Sequence, residues 1–252
     1  LGRCIKCYAG SATQFLWQLW RTKMHAVAKK VSFPFATLCL LAAVAMPASA
    51  ASILGLYNTG VLNDGTTAAS GSTDLHYTLF VSPDANFPGP SAIVADPIAG
   101  GYWLSNSSTS RWIGPAQNQG YPTGAANHAA GDYTYRLAFD LTGLDPVTAQ
   151  LTGSWAADNA GTALLLNGVT TGYTTPSYST LTAFALSSGF VAGINTLDFV
   201  VNEYASSGAN PTGLRVDGLT GTASAVPAPA AGWLLGTALA GLIGRRSCRK
   251  VS

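Results

Sequence analysis

The sequence predicts an all-β fold, a β-sandwich or jelly roll, for the region 51–225. Short apolar runs in this region are separated by residues typical of turns, mainly Gly, Asn, Ser and Thr. Apolar and polar side chains alternate within several of these runs, and no stretch shows helical periodicity over a useful length. About eight short strands can be placed in this way, which is typical of a two-layer β architecture.

Two segments in the first half show the alternation most clearly. In the segment 75–81, the residues predicted to share the inward face are Leu75, Tyr77, Leu79 and Val81. In the segment 133–141, they are Tyr133, Tyr135, Leu137, Phe139 and Leu141. The residues between them are mostly polar, so each strand is expected to have one buried and one solvated face.

The second half continues with shorter strands and a hairpin. Alternation resumes over 147–157 and places Trp155 in the core with Leu151 and Ala149. Asn167-Gly168 predicts a two-residue hairpin turn, because both residues tolerate a positive φ. Further strands are predicted at 184–186, 196–201 and 214–216.

Charge and cysteine content separate this region from both ends of the chain. All four cysteines lie outside 51–225, so the region has no disulfide, and its size of about 175 residues suffices for an ordinary core. Three arginines against eleven acidic residues give the region a formal net charge of −8, and it contains no lysine. Nucleic-acid binding is therefore disfavoured, because phosphate recognition needs clustered Lys and Arg.

The N-terminal part has the features of an export signal. From Met24 the chain has two lysines, an apolar run over 31–44 and the small residues Ala48 and Ala50, a pattern that predicts cleavage before Ala51. We interpret residues 24–50 as a signal peptide. Residues 1–23 are expected to be an upstream-translated extension.

The C-terminal part has three segments in a fixed order. Val226-Pro227-Ala228-Pro229 is followed by an apolar stretch over 230–243 and then by the basic residues Arg245, Arg246, Arg249 and Lys250. A buried core helix is the alternative, since the apolar stretch of about 14 residues is shorter than the roughly 20 that span a bilayer. The order of the segments resembles the PEP-CTERM sorting signal, in its Val-Pro-Leu-Pro-Ala variant, over 226–252.

The PEP-CTERM resemblance implies a cellular localisation for the protein and a protease that processes it. It implies export from a Gram-negative bacterium, a transient inner-membrane anchor through a short transmembrane helix, and processing by an exosortase-like sorting protease. The processed protein would then be found at the cell surface or in extracellular matrix rich in exopolysaccharide.

A second resemblance covers residues 132–223. Phe139-Asp140-Leu141-Thr142-Gly143-Leu144, Trp155-Ala156-Ala157-Asp158-Asn159, Leu166-Asn167-Gly168 and Gly193-Ile194-Asn195-Thr196-Leu197 follow one another in this order. The series resembles the galactose-binding-like β-sandwich of many carbohydrate-binding modules. The resemblance implies a sandwich fold and a sugar ligand.

Aromatic side chains in loop-like segments are candidates for ligand binding, because flat rings can stack on sugars. They are Trp103, Trp112, Tyr121, Tyr173 and Tyr178. We expect Trp112 and Tyr173 to bind the ligand together with Asp158 and Asn159 at a loop-bearing end of the sandwich. Closure of that end by the aromatic rings, and an Asx-turn role for Asp158, are the alternatives.

The sequence contains little that indicates catalysis. It has no Gly-x-Ser-x-Gly and no His/Cys cluster with metal-ligand spacing, and the acidic pairs Asp140 with Asp145 and Asp198 with Glu203 are close in sequence without a predicted cleft between them. We therefore expect no enzyme activity and no cofactor. A structural calcium ion is compatible with this composition, although no Asp-x-Asp-x-Asp spacing selects a site.

These features together predict an exported, surface or matrix-associated β-sandwich protein that binds carbohydrate. A structural or adhesive matrix component without a sugar site is the main alternative. A secreted hydrolase with an active site distributed along the chain is a third.

Processing at both ends is testable on the exported protein. We expect its mature form to begin near Ala51 and to end between Val226 and Pro229, because both apolar segments are flanked as removable signals. Mass spectrometry of the extracellular protein measures both ends. An extracellular form that retains residues 233–250 would contradict the C-terminal cleavage.

Overall fold

The computed structural model describes residues 49–97, 101–119, 127–206 and 208–226, and these residues form an all-β structure. This confirms the predicted fold class. One three-residue 3₁₀ turn, Pro146–Thr148, lies among the strands. The strands are β1 (Ala50–Ser52), β2 (Thr73–Val81), β3 (Ser91–Val94), β4 (Ile113–Gly114), β5 (Gly131–Asp140), β6 (Gln150–Asp158), β7 (Ala160–Leu166), β8 (Val169–Thr170), β9 (Thr182–Leu186), β10 (Ile194–Glu203) and β11 (Gly213–Ser224).

The strands form one antiparallel path that curls into a sandwich. The order along the path is β8-β7-β10-β5-β2-β3-β4-β11-β6-β9, and β1 pairs with β11 at the side of the path. One layer contains β7, β10, β5 and β2, and the other contains β11, β6 and β9. The layers face each other, because Trp155 of β6 packs edge-on against Phe199 of β10, with ring centroids 5.4 Å apart.

The alternating segments occupy the core as the sequence predicts. All five apolar residues of 133–141 are buried, and β5 pairs in continuous register with β10 from Gly131 to Asp140. Trp155 is fully buried, which confirms its predicted core position. The strands predicted at 184–186, 196–201 and 214–216 lie within β9, β10 and β11.

The predicted inward face of β2 is only half right. Tyr77 and Leu79 are buried, but Leu75 is 57% exposed and Val81 is 47% exposed. The register of β2 shifts against β3 between Thr73 and Thr78, and it shifts against β5 between Leu79 and Val81. These irregularities interrupt the strict two-residue period on which the prediction rested.

A buried carboxylate accompanies the first irregularity in β2. Asp74 faces inward, and its Oδ1 accepts hydrogen bonds of 2.8 Å from the backbone amides of His76 and Tyr77. The Asp74 carboxylate therefore accepts the hydrogen bonds that these two amides would otherwise donate to a neighbouring strand.

The hairpin predicted at Asn167-Gly168 is confirmed. Asn167 has φ 54° and Gly168 has φ 78°, and Leu166 pairs with Val169 on either side of the turn. The Asn167 side chain also donates to the backbone carbonyl of Gly189 at 3.0 Å and to Asn195 Oδ1 at 2.9 Å. The turn is thus held to the loop that precedes β10.

The two predicted targeting segments lie almost wholly outside the described residues. Ala50 and Ala51, the predicted signal-peptidase junction, belong to β1, and Val226 donates its amide to the Gly143 carbonyl at 2.9 Å. Pro227, Pro229, Arg245 and Arg246 of the predicted sorting signal fall beyond the described ranges. Within those ranges, no helix is both long enough and apolar enough to cross a bilayer.

A substitution at Gly168 tests the effect of backbone strain on stability separately from the effect of a steric clash. Gly168→Val should lower the free energy of unfolding by at least about 1 kcal/mol, because a β-branched residue tolerates the positive φ poorly. Apart from the two adjacent residues, no atom of the described ranges lies within 4 Å of the added Cβ, so a steric clash would not contribute. Thermal melts of the purified protein measure the change.

Gly208→Val is the matched control for this prediction. Its Cβ would also meet open space, and its φ lies outside the range that disfavours L side chains. Its melting temperature should stay close to that of the parent. Equal melting temperatures for all three proteins would contradict the turn assignment.

Candidate functional site

The chain crosses between the two layers of the sandwich twice at the same end. Asn159 alone connects β6 to β7, which lie in opposite layers, and the segment 204–212 connects β10 to β11. The strand ends also coincide, because Gly213 pairs with Asp158 and Ala160 pairs with Asn202. Both crossings therefore meet at one end of the sandwich.

A cleft of about 330 Å³ lies at this end. Aromatic residues from three separate segments of the chain line it, namely Tyr102 with Trp103, Tyr178 and Tyr204. The polar side chains in the lining are Asp158, Asn159, Ser206 and Asn210. The cleft thus combines flat apolar surfaces with a few hydrogen-bonding groups, as small-ligand sites usually do.

Asp158 lies at the centre of the polar part of the lining. It shares the outer face of β6 with Ala156, because side chains alternate along a strand. Trp103 covers this face, and its indole Nε1 donates to Asp158 Oδ2 at 2.6 Å. Asn159 Nδ2 donates to the other oxygen, Oδ1, at 3.1 Å. The Asp158 carboxylate is therefore oriented from both sides and is only 3% exposed.

The backbone around Asp158 is also anchored. Thr212 Oγ1 donates to the Asp158 carbonyl at 3.0 Å, and the amide of Tyr204 donates to Asn159 Oδ1 at 2.8 Å. Asn210 Nδ2 donates to the carbonyls of Tyr204 and His128. The β10–β11 crossing is thereby tied to the β6–β7 crossing, which gives the cleft a defined shape.

Trp112 does not reach the surface of the cleft. It is fully buried, its ring lies 4.3 Å from that of Trp103, and its Nε1 donates to the Leu104 carbonyl at 2.7 Å. Its indole therefore supports Trp103 from behind and is not available to stack on a ligand. The sequence places both tryptophans in one loop segment, but only the packing shows which one faces the cleft.

Tyr173, the other predicted aromatic ligand residue, also lies away from the lining. It packs against the main core, and its hydroxyl donates to the Ala185 carbonyl at 2.8 Å. Tyr178 from the same loop does line the cleft, and its carbonyl accepts from the Leu104 amide at 2.9 Å. The structure therefore brings Asp158, Asn159, Trp103 and Tyr178 together, whereas Tyr121 lies outside the described residues.

A second carboxyl group, that of Glu203, is buried beside Asp158. Glu203 ends β10 on the same face as Phe199 and Val201 and is only 1% exposed. Among the described residues, its two oxygens have no hydrogen-bond partner of good geometry, although the Thr212 side chain and the Tyr204 amide are close enough to favour the ionised form slightly. Burial, assisted by the negative charge of Asp158, raises the pKa of Glu203 to about 8.

The pKa of Asp158 rises less. Burial raises it to about 6, and the hydrogen bonds from Trp103 and Asn159 oppose this rise because they stabilise the ionised carboxylate. Near neutral pH, Asp158 is thus mainly ionised and Glu203 is mainly protonated.

The other acidic residues considered from sequence have structural roles. Asp140 Oδ1 accepts from the amide and hydroxyl of Thr142, and Asp145 caps the 3₁₀ turn. Asp198 forms a two-point ion pair with Arg136, with N–O distances of 2.6 and 2.7 Å. Among the described residues, no group of three or more His, Cys, Asp or Glu side chains is arranged to hold a metal ion.

Sequence reasoning missed Tyr102 and Tyr204 as cleft residues. Tyr102 stands next to Trp103, and Tyr204 follows directly on the last residue of β10. The position of Tyr204 just after a predicted strand, before a Ser- and Gly-containing loop, was the available signal. Glu203 could also have been assigned to the inward face by extending the alternation of 196–201 by two residues.

The buried carboxyl pair predicts a pH dependence of stability. The pKa of Glu203 is about 8 in the folded state against a model value of 4.5. The folded state therefore holds more protons between these values, and stability falls as the pH rises. The free energy of unfolding of Glu203→Gln should fall less than that of the parent as the pH rises, by on the order of 1–3 kcal/mol. Urea titrations at about pH 5 and pH 8 measure it.

Asp140→Asn is the matched control, because hydrogen bonds from Thr142 lower the pKa of this exposed carboxylate and it stays ionised throughout the range. Its stability should change with pH as that of the parent does. A Glu203→Gln variant with the parent's pH dependence would contradict the assignment of the raised pKa.

Comparisons with known proteins add little to this geometry. No protein-family model and no curated protein matches the chain. Among solved structures, the chain is similar to the CBM36-1 domain of a multidomain xylanase from the hindgut metagenome of Trinervitermes trinervoides. The identity is 12%, the TM-score is 0.26, and the match covers 71% of this chain and 98% of that domain. This similarity is too low to support a functional argument, which depends instead on the cleft.

Proposed function

We propose that the protein is an exported, surface or matrix-associated β-sandwich protein that binds carbohydrate in the cleft at the β6–β7 corner. The observation that carries this proposal is the convergence of four aromatic side chains on an oriented carboxylate. Tyr204 lines the cleft and is 58% exposed, so its ring is accessible to a ligand.

The two kinds of lining residue match the two kinds of surface on a sugar ring. The C–H face of a pyranose is apolar and stacks on an aromatic ring, while its edge carries hydroxyl groups that donate and accept hydrogen bonds. Asp158 accepts two hydrogen bonds from protein groups, and an ionised carboxylate has about four acceptor positions. Because Asp158 belongs to the lining, we infer that its remaining positions face the cleft and accept from ligand hydroxyls.

The position of the cleft is compatible with attachment or processing at either end of the chain. β11 begins beside Asp158 and ends beside β1, where Ala50 pairs with Ser224. The twelve residues of β11 span roughly 35 Å. The described chain therefore enters and leaves at the end of the sandwich opposite to the cleft. Processing there by an exosortase-like protease, after a transient stay in the inner membrane, is part of the proposal.

The cleft is suited to binding more than to catalysis. Glycoside hydrolysis generally requires two carboxyl groups on opposite sides of the scissile bond. Asp158 lines the cleft, but Glu203 is 1% exposed and is not part of the lining. Glu203 is thus placed to modulate the charge near Asp158 and not to contact a substrate.

The aromatic lining predicts separable effects on binding and stability. Tyr204→Ala should weaken polysaccharide binding by about tenfold, because it removes a stacking surface worth on the order of 1 kcal/mol or more. Its melting temperature should change little, since the ring is 58% exposed. Glycan arrays identify the ligand, and isothermal titration calorimetry measures the affinity.

Tyr173→Ala is the control with the opposite expected pattern. It removes a ring that packs against the core, so it should lower the melting temperature but leave the affinity unchanged. If the parent protein binds no glycan across a broad panel, the carbohydrate proposal is wrong, and the structural or adhesive matrix function takes its place.

A further inference from the structure

Among the described residues, the Asp158 carboxylate in the cleft has no positively charged partner. Within the described ranges, the lining contains no Lys, Arg or His. The unmatched charge is unusual, because buried carboxylates in proteins are usually paired with a cation or fully hydrogen-bonded.

The arginines of the described chain are placed elsewhere. Arg136 pairs with Asp198, and Arg215 donates to Ser110 Oγ at 2.8 Å and to the Ser105 carbonyl. The backbone of Arg111 bonds to that of Thr59, in a segment that does not border the cleft. Neutralisation of Asp158 by an arginine would therefore require a rearrangement of these contacts.

Asp158 retains both charge and acceptor capacity for a ligand. Its two hydrogen bonds come from neutral donors, the Trp103 indole and the Asn159 amide, which orient the carboxylate without neutralising it. Near neutral pH it is mainly ionised, whereas Glu203 is mainly protonated. A ligand in the cleft therefore meets one carboxylate that is fixed in direction and lacks a counter-charge.

We propose that the cleft selects sugars that carry a protonated amine, such as glucosamine units, over neutral sugars and over uronic acids. This inference rests on the carbohydrate-binding function proposed above. An ammonium group has three donors and a full positive charge, so its hydrogen bond to the ionised Asp158 adds an attraction between opposite charges that a hydroxyl lacks. A uronate in the same position is repelled by Asp158.

The charge of the whole region acts in the same direction. Residues 51–225 carry a formal net charge of −8. Such a field attracts cationic polysaccharide and repels anionic polysaccharide at a distance, but it is screened by salt beyond about 10 Å at 0.1 M. Added salt weakens the attraction by the overall charge, whereas the contact with Asp158 is short-ranged and is screened less. A substitution far from the cleft likewise changes the overall charge without changing Asp158.

The test compares sugars that differ at one group. β-1,4-linked tetrasaccharides of glucosamine, glucose and glucuronic acid are titrated into the full protein near neutral pH and at about 0.15 M salt. We expect the glucosamine tetrasaccharide to bind about tenfold more tightly than the glucose tetrasaccharide, and the glucuronic acid tetrasaccharide to bind most weakly. Asp158→Asn should abolish the preference for the amine, so that the ratio of the affinities for the glucosamine and glucose tetrasaccharides falls to about one.

Asp140→Asn is the matched control. This substitution removes the same charge from an exposed side chain at the end of β5. Asp140 pairs there with Ile194, the first residue of β10, far from the cleft. It should keep the full preference for the amine. An equal loss of preference in both variants would show that net charge alone attracts the ligand, and it would overturn the assignment to Asp158.

The unaltered protein decides the proposal even if Asp158→Asn does not fold. Equal affinities for the glucosamine and glucose tetrasaccharides would overturn the amine selectivity but leave the carbohydrate-binding function standing. If none of the three tetrasaccharides nor any glycan of the wider panel binds, both proposals fail together.

Discussion

The packing of Trp155 between the two layers is the contact on which the rest of the sandwich depends. The indole is fully buried on β6 and meets Phe199 of the opposite layer edge-on. On its other side it lies against Gly161 of β7, where an added Cβ would stand 2.3 Å from the indole ring. The glycine is thus required for the close approach of β7, and the ring sets the spacing between the layers.

The position of the cleft follows from this contact. Trp155 holds β6 at a point three residues before Asp158, and Gly161 holds β7 two residues after Asn159. The chain must therefore cross between layers within a very short segment, and Asp158 and Asn159 stand at the corner. The outer face of β6 is covered by a second apolar cluster of Ala95, Trp103, Trp112 and Ala156. This cover brings Trp103 onto Asp158.

The environment of the two acidic residues explains how neighbouring carboxyl groups acquire different properties. Asp158 lies on the outer face of β6 and receives two hydrogen bonds, which limit the rise of its pKa to about 6. Glu203 lies on the inner face of β10 without comparable donors, and its pKa rises to about 8. The Asp158 carboxyl group is mainly ionised near neutral pH, while the Glu203 carboxyl group stays protonated and avoids placing a second charge in the core.

The sequence by itself determined the fold class and most of the core. Alternation identified β5 and β6 correctly, because a two-residue period depends only on which face is buried. The central part of β10 was also predicted as a strand. The Asn167-Gly168 turn was equally clear, since few residue pairs tolerate two positive φ angles. Alternation was misleading in β2, where the register shifts are a property of pairing with β3 and β5 and have no strong local signal.

Only the tertiary structure decided which residues form the cleft. Asp158, Asn159, Trp103 and Tyr178 were recognisable as candidate residue types, but their convergence depends on two layer crossings and on a loop that folds over β6. The same packing buried Trp112 behind Trp103 and placed Tyr173 against the core, although all four aromatics lie in similar segments. Local composition indicates that a ring is near the surface, whereas long-range packing determines which ring faces a ligand.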